Sequence, residues 1–161
     1  MNIFALDNHP VIAAENQCDK HVVKMPLESA QILSTAHRLL DGSKAPDVVY
    51  KPTHSKHPCV VWVMQTQANY IWLYQHFIAL CKEYKYRYNR EHLSYTKLKD
   101  ILCHYPKNIP LGGQTPFVQA MPDDVKNKDS IQAYRDYYMQ YKKHIATWNK
   151  NRTPPNWWKI S

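Results

Sequence analysis

Residues 18–28 read CDKHVVKMPLE. On a helix this stretch separates into two sides. Cys18, Val22 and Met25 fall together as a packing side. Gln17, His21, Lys24, Glu28, Gln31 and Thr35 line another, recurring at steps of 4, 3, 4, 3 and 4. A base, an amine and a carboxylate therefore share one side across two turns. A solvated face with an i,i+4 ion pair accounts for Lys24 and Glu28. A histidine among valines is less usual on a plain surface, and Pro26 beside Glu28 marks a place where local shape matters.

Working outward, Cys18, Val22, Met25, Ile32, Ala36 and Leu39 predict a helix from about 11 to 40, which Pro26 should bend or divide. DGSKAP at 41–46 ends it. IFAL at 3–6 is a short apolar segment ahead of it. A second helix is predicted from about Pro58 to Tyr88 with Val60, Met64, Ile71, Ile78 and Cys81 apolar, long enough to be the central element of a bundle. A shorter one fits roughly 94–104. The stretch 105–127, with IPLGGQTPFVQAMPDD, reads as a long loop of the kind that often carries function, the alternative being a structural connector pinned by Phe117 and Met121. Ile131, Tyr134, Tyr138, Tyr141, Ile145 and Trp148 predict a last helix capped by Asp129 or Ser130. No linker divides the chain. The expected fold is all-α, a single compact helical domain spanning residues 1–161, with long helices and an extended functional loop.

The 161 residues suffice for a core without staples, and 44% of them are hydrophobic. With 3 glycines and no GxGxxG or GxxxxGK[ST], a glycine-cradled phosphate site is not supported. No apolar run is long enough to span a bilayer, and MNIFALDNHP lacks the marks of a signal peptide. The four cysteines are expected as reduced thiols in an intracellular protein of cytoplasm or nucleoid, or of a host cell if the source is viral. The net charge of +8, with 12 Tyr and 5 Trp, favours nucleic acid as partner, because cations neutralise phosphates and flat rings stack on bases. A basic protein with a tyrosine-rich core has the same composition.

Among reactive constellations, GxSxG is absent, and HPC at 57–59 lacks the glutamate and second cysteine of a deaminase site. Cys18, His54, His57 and Cys59 are weak zinc candidates, since HxxHxC is not a standard ligand spacing. No metal and no cofactor are expected.

The ordered series of motifs resembles the phage and viral pyrimidine-dimer DNA glycosylases, often called endonuclease V. It comprises IFAL before a helix, Asp19 and His21 as D-x-H, then Glu28. PTH at 52–54 with His57 follows, then KEYKYRYN at 82–89, and the terminal TPPNWWKIS. The likeness covers most of the chain and is poor over about 90–125. It implies a helical domain that binds damaged double-stranded DNA without cofactor, and no membrane. The family's α-amine attacks the sugar C1′ and forms an imine, and β-elimination then cuts the strand. By this resemblance Glu28 is the catalytic carboxylate, His21 a substrate-facing histidine near the sugar–phosphate, and Trp157, Trp158 and Lys159 the DNA-contacting terminus. The family exposes a small residue by removing Met1. Asn2 is too large for efficient removal, so the amine is that of Met1, or Lys24 forms the imine. Leu27 and Gln31 stand where the family has arginines. Asn2, Lys20, Gln31, Arg38 and His57 complete the expected DNA contacts. The leading reading is an N-glycosylase/AP lyase acting on a damaged or modified pyrimidine. The alternatives are another base- or nucleotide-modifying enzyme on the same scaffold, a non-catalytic nucleic-acid-binding protein, and a metal-dependent nuclease using the His/Cys cluster.

Overall fold

A computed structural model describes residues 1–159. The described residues form α1 (Pro10–Asn16), α2 (Asp19–Asp41), α3 (Pro58–Gln65), α4 (Gln67–Tyr88), α5 (Leu93–Leu102) and α6 (Ser130–Tyr141). Short 3-10 turns lie at Gly42–Lys44 and Asp123–Val125, and the described residues contain no strand. The fold is all-α. α2 packs on α3, α4 and α5, and α1 packs on α4. No described helix is long and apolar enough to cross a membrane.

The expected helix over 11–40 is two helices, and the break is not at Pro26. α2 continues through Pro26, although that residue lacks the N–H that would bond the Val22 carbonyl. The break falls at Gln17 and Cys18, where the backbone is extended. Buried Arg87 of α4 fixes it by donating to the Gln17 carbonyl at 2.7 Å, the Glu15 carbonyl at 2.8 Å and Asp19 Oδ1 at 3.1 Å. The expected helix over 58–88 is likewise two. Thr66 is extended, and its hydroxyl accepts the Asn69 N–H at 3.1 Å as the N-cap of α4. The Asn69 amide donates to the Trp62 carbonyl at 2.8 Å, satisfying one of the terminal carbonyls of α3.

The last helix stops at Tyr141, short of the apolar pattern that runs on to Trp148. The chain turns back so that the Thr147 carbonyl accepts the Asp19 N–H at 2.8 Å and the Trp148 indole donates to the Asn16 carbonyl at 3.1 Å. Trp148 is thus buried by the returning tail rather than by a helix face. Asp129 is the N-cap, accepting from the Ile131 and Gln132 N–H groups.

Histidines open three helices. His9, His57 and His92 each accept, at Nδ1, the N–H two residues on, at 3.2, 3.0 and 3.1 Å. Proline follows two of them directly, at the first helical position where a missing N–H costs nothing.

What positions the site is the first segment of the chain. Ile3, Phe4, Ala5 and Leu6 are all buried, threaded among α2, α3 and α6. Asn2 steers the entry: its Oδ1 accepts the N–H groups of Ile3 and Phe4 at 2.7 and 3.0 Å, and its amide donates to the Ala120 carbonyl at 2.7 Å. Phe4 takes a left-handed backbone (φ 41), uncommon for a bulky residue. The long loop closes over this segment. Phe117 packs between Trp62 and Trp72, at centroid distances of 5.4 and 4.6 Å, and the Tyr134 hydroxyl donates to the Val118 carbonyl.

Candidate active site

The amphipathic pattern of α2 turns Val22 and Met25 into the core and keeps His21 and Glu28 at its boundary with the N-terminal segment. Burial of Ile3–Leu6, at roughly 2 kcal/mol per large apolar side chain, carries the α-amine to that boundary. The Met1 nitrogen lies 3.1 Å from Glu28 Oε1. Glu28 is 8% exposed. Its second oxygen, Oε2, has no hydrogen-bond partner, and Lys24 Nζ stands 3.4 Å away as an ion pair only. Lys24 itself is exposed, its side chain 67% accessible. His57 completes the corner. Its ring sits close enough to the amine, Glu28 and the Met1 carbonyl to feel all three, and burial pushes its pKa down. Beneath it, burial raises the Cys59 thiol to about 12, so that it stays protonated.

His21 occupies the same side of α2 two turns before Glu28, about 10 Å along the axis. It is 5% exposed, and burial with the charges of Lys142 and Lys24 lowers its pKa to about 3. Its Nδ1 lies 2.5 Å from the Tyr138 hydroxyl, and Phe4 stacks on its ring at 4.3 Å. Tyr137 also stacks with Phe4, at 6.0 Å, and Lys142 Nζ lies 5.0 Å from the Tyr137 ring.

Met1, Lys24, Glu28 and His57 therefore form one cluster, with His21 adjacent. Lys20 and Lys159 are exposed and Gln31 is half-buried. Trp157 and Trp158 are half-buried: Trp157 lies edge-on to Tyr138 at 6.1 Å, and Trp158 packs on Trp148 at 4.9 Å.

Several of the expected residues take up partners within the fold. Asn2, expected to contact DNA, is 7% exposed with both amide atoms bonded inside the fold. The half-buried Arg38 guanidinium, also expected to contact DNA, donates to the carbonyls of Asp47, Val49 and Tyr50 and so pins that loop. The weak zinc candidates do not gather: no group of three or more His, Cys, Asp or Glu among the described residues is arranged to hold a metal. Cys18 lies beside Tyr138, while exposed His54 bonds Thr53. Asp19, the first member of D-x-H, is architectural. It binds Arg87 on one oxygen and the Asn149 N–H, at 2.7 Å, on the other.

Sequence reasoning missed Tyr138, Phe4 and Lys142. Tyr138 sits in a helical core pattern that gives no hint of its hydroxyl's use. The duplicated His-Pro pair was the readable sign of the caps, including that of His57.

A primary amine thus stands against a shielded carboxylate on an all-helical scaffold. Residues 1–96, more than half of the chain, match the family model for pyrimidine dimer DNA glycosylases, and the chain belongs to that family. No curated protein and no solved structure matches it. The matched region carries Met1, Lys24, Glu28, His21 and His57; Tyr138 and Lys142 lie beyond it.

Proposed function

We propose that the protein is a DNA N-glycosylase with AP-lyase activity, acting on a damaged or modified pyrimidine in duplex DNA through an imine at the Met1 amine. The observation that carries this reading is the 3.1 Å pairing of the Met1 nitrogen with Glu28.

Glu28 accepts a proton from the ammonium, leaving an amine able to attack. An α-amine is a better candidate than a lysine, because its ordinary pKa lies about 2.5 units lower. The nitrogen bonds to C1′, the C1′–N bond to the base breaks, and the base leaves with that electron pair and a proton from Glu28. The C1′–O4′ bond then breaks as one proton passes from the nitrogen to O4′ and the freed nitrogen lone pair forms the C=N bond, which gives the protonated imine. Carboxylate charge beside C1′ stabilises the positive charge that develops there. Removal of a C2′ proton by Glu28 then expels the 3′ phosphate, and water releases the product and restores the amine. Reaching C1′ requires the target nucleotide to leave the stack or the duplex to bend.

The test is borohydride trapping on duplexes bearing an abasic site or a cyclobutane dimer, with the modified peptide identified by mass. Expected is an adduct on Met1 that is lost in Glu28→Gln. An adduct on Lys24 transfers the nucleophile's role to that residue, and no adduct on either duplex removes the imine mechanism.

A further inference from the structure

The hydroxyl of Tyr138 stands at a junction of three groups. It is 2.5 Å from His21 Nδ1, it accepts the Cys18 N–H at 3.3 Å, and the Cys18 sulfur is 3.7 Å away. Tyrosine has one proton to give. An imidazole nitrogen is a much stronger acceptor than a thiol sulfur. The shorter separation also suits an O–H donor better than a ring N–H. The thiol offers no thiolate, because burial raises its pKa. The Tyr138 proton therefore points to His21 Nδ1, and the ring's own proton resides on Nε2.

We infer that Tyr138 is a positioning residue that locks His21 in its Nε2–H tautomer, so that His21 offers DNA a hydrogen-bond donor and not a base.

The surroundings hold this arrangement. Tyr138 is fully buried, with Trp148 and Trp157 packed around it. Phe4 lies on the imidazole with an interplanar angle of 21°, which fixes the plane in which Nε2 points. The charged and titratable groups facing the ring are Lys24 from α2, Lys142 just past α6, the Cys18 thiol and the Tyr138 phenol. Two ammonium groups oppose a positive imidazole and attract an anionic oxygen. A fixed N–H between them suits a phosphodiester oxygen of the DNA backbone. A ring whose outer nitrogen is already protonated does not take the C2′ proton, which leaves that step to Glu28. This assignment of His21's role rests on the glycosylase/lyase reading; the tautomer does not.

The experiment is nitrogen–proton correlation NMR on the full chain with ¹⁵N-histidine, the His21 signals being assigned by their absence in His21→Gln. Expected in the wild type is a protonated Nε2 with an unprotonated Nδ1, and in Tyr138→Phe two averaged nitrogens. An Nδ1–H pattern in the wild type overturns the inference, and so does a His21 signature untouched by Tyr138→Phe. The wild-type spectrum decides even where that variant folds poorly. A second arm measures binding to a duplex carrying a tetrahydrofuran abasic analogue, which no lyase can cleave. The Gln side chain places an N–H near the position of Nε2, whereas Asn places one near Nδ1. His21→Asn is expected to bind roughly tenfold more weakly than His21→Gln; equal losses overturn the donor role. Failure of borohydride trapping alone strikes the glycosylase reading and leaves the tautomer standing.

Discussion

Asn2 is the residue on which the proposed use of the Met1 amine can be tested. Its carboxamide bonds the backbone on both sides of the chain entry, to Ile3, Phe4 and Ala120, and its bulk disfavours removal of Met1. A serine there retains one acceptor for the entry but permits methionine removal. The new amine then begins one residue further along, up to about 3.8 Å from the original position. Misplacement on that scale costs about a hundredfold or more in a positioned reaction. Asn2→Ser is accordingly expected to show a processed N-terminus by intact mass and to lose at least that factor in the trapping rate on abasic DNA. Undiminished trapping by the processed protein would falsify the use of the Met1 amine. Asn2→Gln, which also disfavours removal of Met1, separates this effect from a disturbed entry turn.

Helix content was legible in the chain at the level of elements, because three- and four-residue apolar spacing is local. The breaks were not, because distant groups set them. Nothing within residues 11–40 announces that Arg87, nearly fifty residues beyond that stretch, will capture the carbonyls of Glu15 and Gln17 and hold the chain extended there. Thr66 is a good cap by type, but its use depends on Asn69 reaching back to Trp62. Trp148 fits the helical spacing and is buried by other means. The site divides in the same way. His21, Lys24 and Glu28 share a face that spacing alone reveals. The arrival of the amine at Glu28 needs the buried course of Ile3–Leu6, and Tyr138 joins His21 only through tertiary packing. Arg87 is thus the residue on which the α1–α2 junction depends. It also pairs with Glu83 at 2.7 Å, and Arg152 of the tail reaches the same carboxylate. Removing the guanidinium takes from buried Asp19 its cation, leaves Glu83 paired with Arg152 alone, and frees the carbonyls of Gln17 and Glu15. Arg87→Met is expected to lower unfolding free energy by about 3–5 kcal/mol, measured by urea denaturation. The exposed neighbour substitution Arg90→Met stays within about 0.5 kcal/mol. Equal midpoints for the two variants would show that the junction is held by packing alone.

Across the whole molecule, histidine burial sets how stability follows pH. Burial lowers the His76 ring to about 4 and, with Lys142 and Lys24, the His21 ring to about 3. His37, His57 and His92 are lowered in the same direction. The unfolded chain carries these rings near the ordinary value of about 6.5. The unfolded state therefore binds more protons below that pH, and stability rises with pH through the window. The contribution is fully present above about 6.5 and is lost as pH falls toward the folded-state values. Cap geometry runs in the same direction: His57 and His92 accept backbone N–H groups at Nδ1, and a proton there abolishes the acceptor. At pH 5 the loss amounts to about 2 kcal/mol for each of His21 and His76. Carboxylates are still largely ionised at that pH, so the acid-labile ion pairs add little to the change. Urea unfolding at pH 7.5 and pH 5 is expected to give a free energy lower by roughly 4 kcal/mol at the acid end for these two rings together. His76→Gln provides the internal check, since glutamine keeps hydrogen-bonding capacity toward Gln17 without a titrating ring. That variant is expected to recover about 2 kcal/mol of the pH difference. A slope identical to the wild type's would mean that His76 does not titrate differently on folding, and the acid sensitivity would then have to come from other groups.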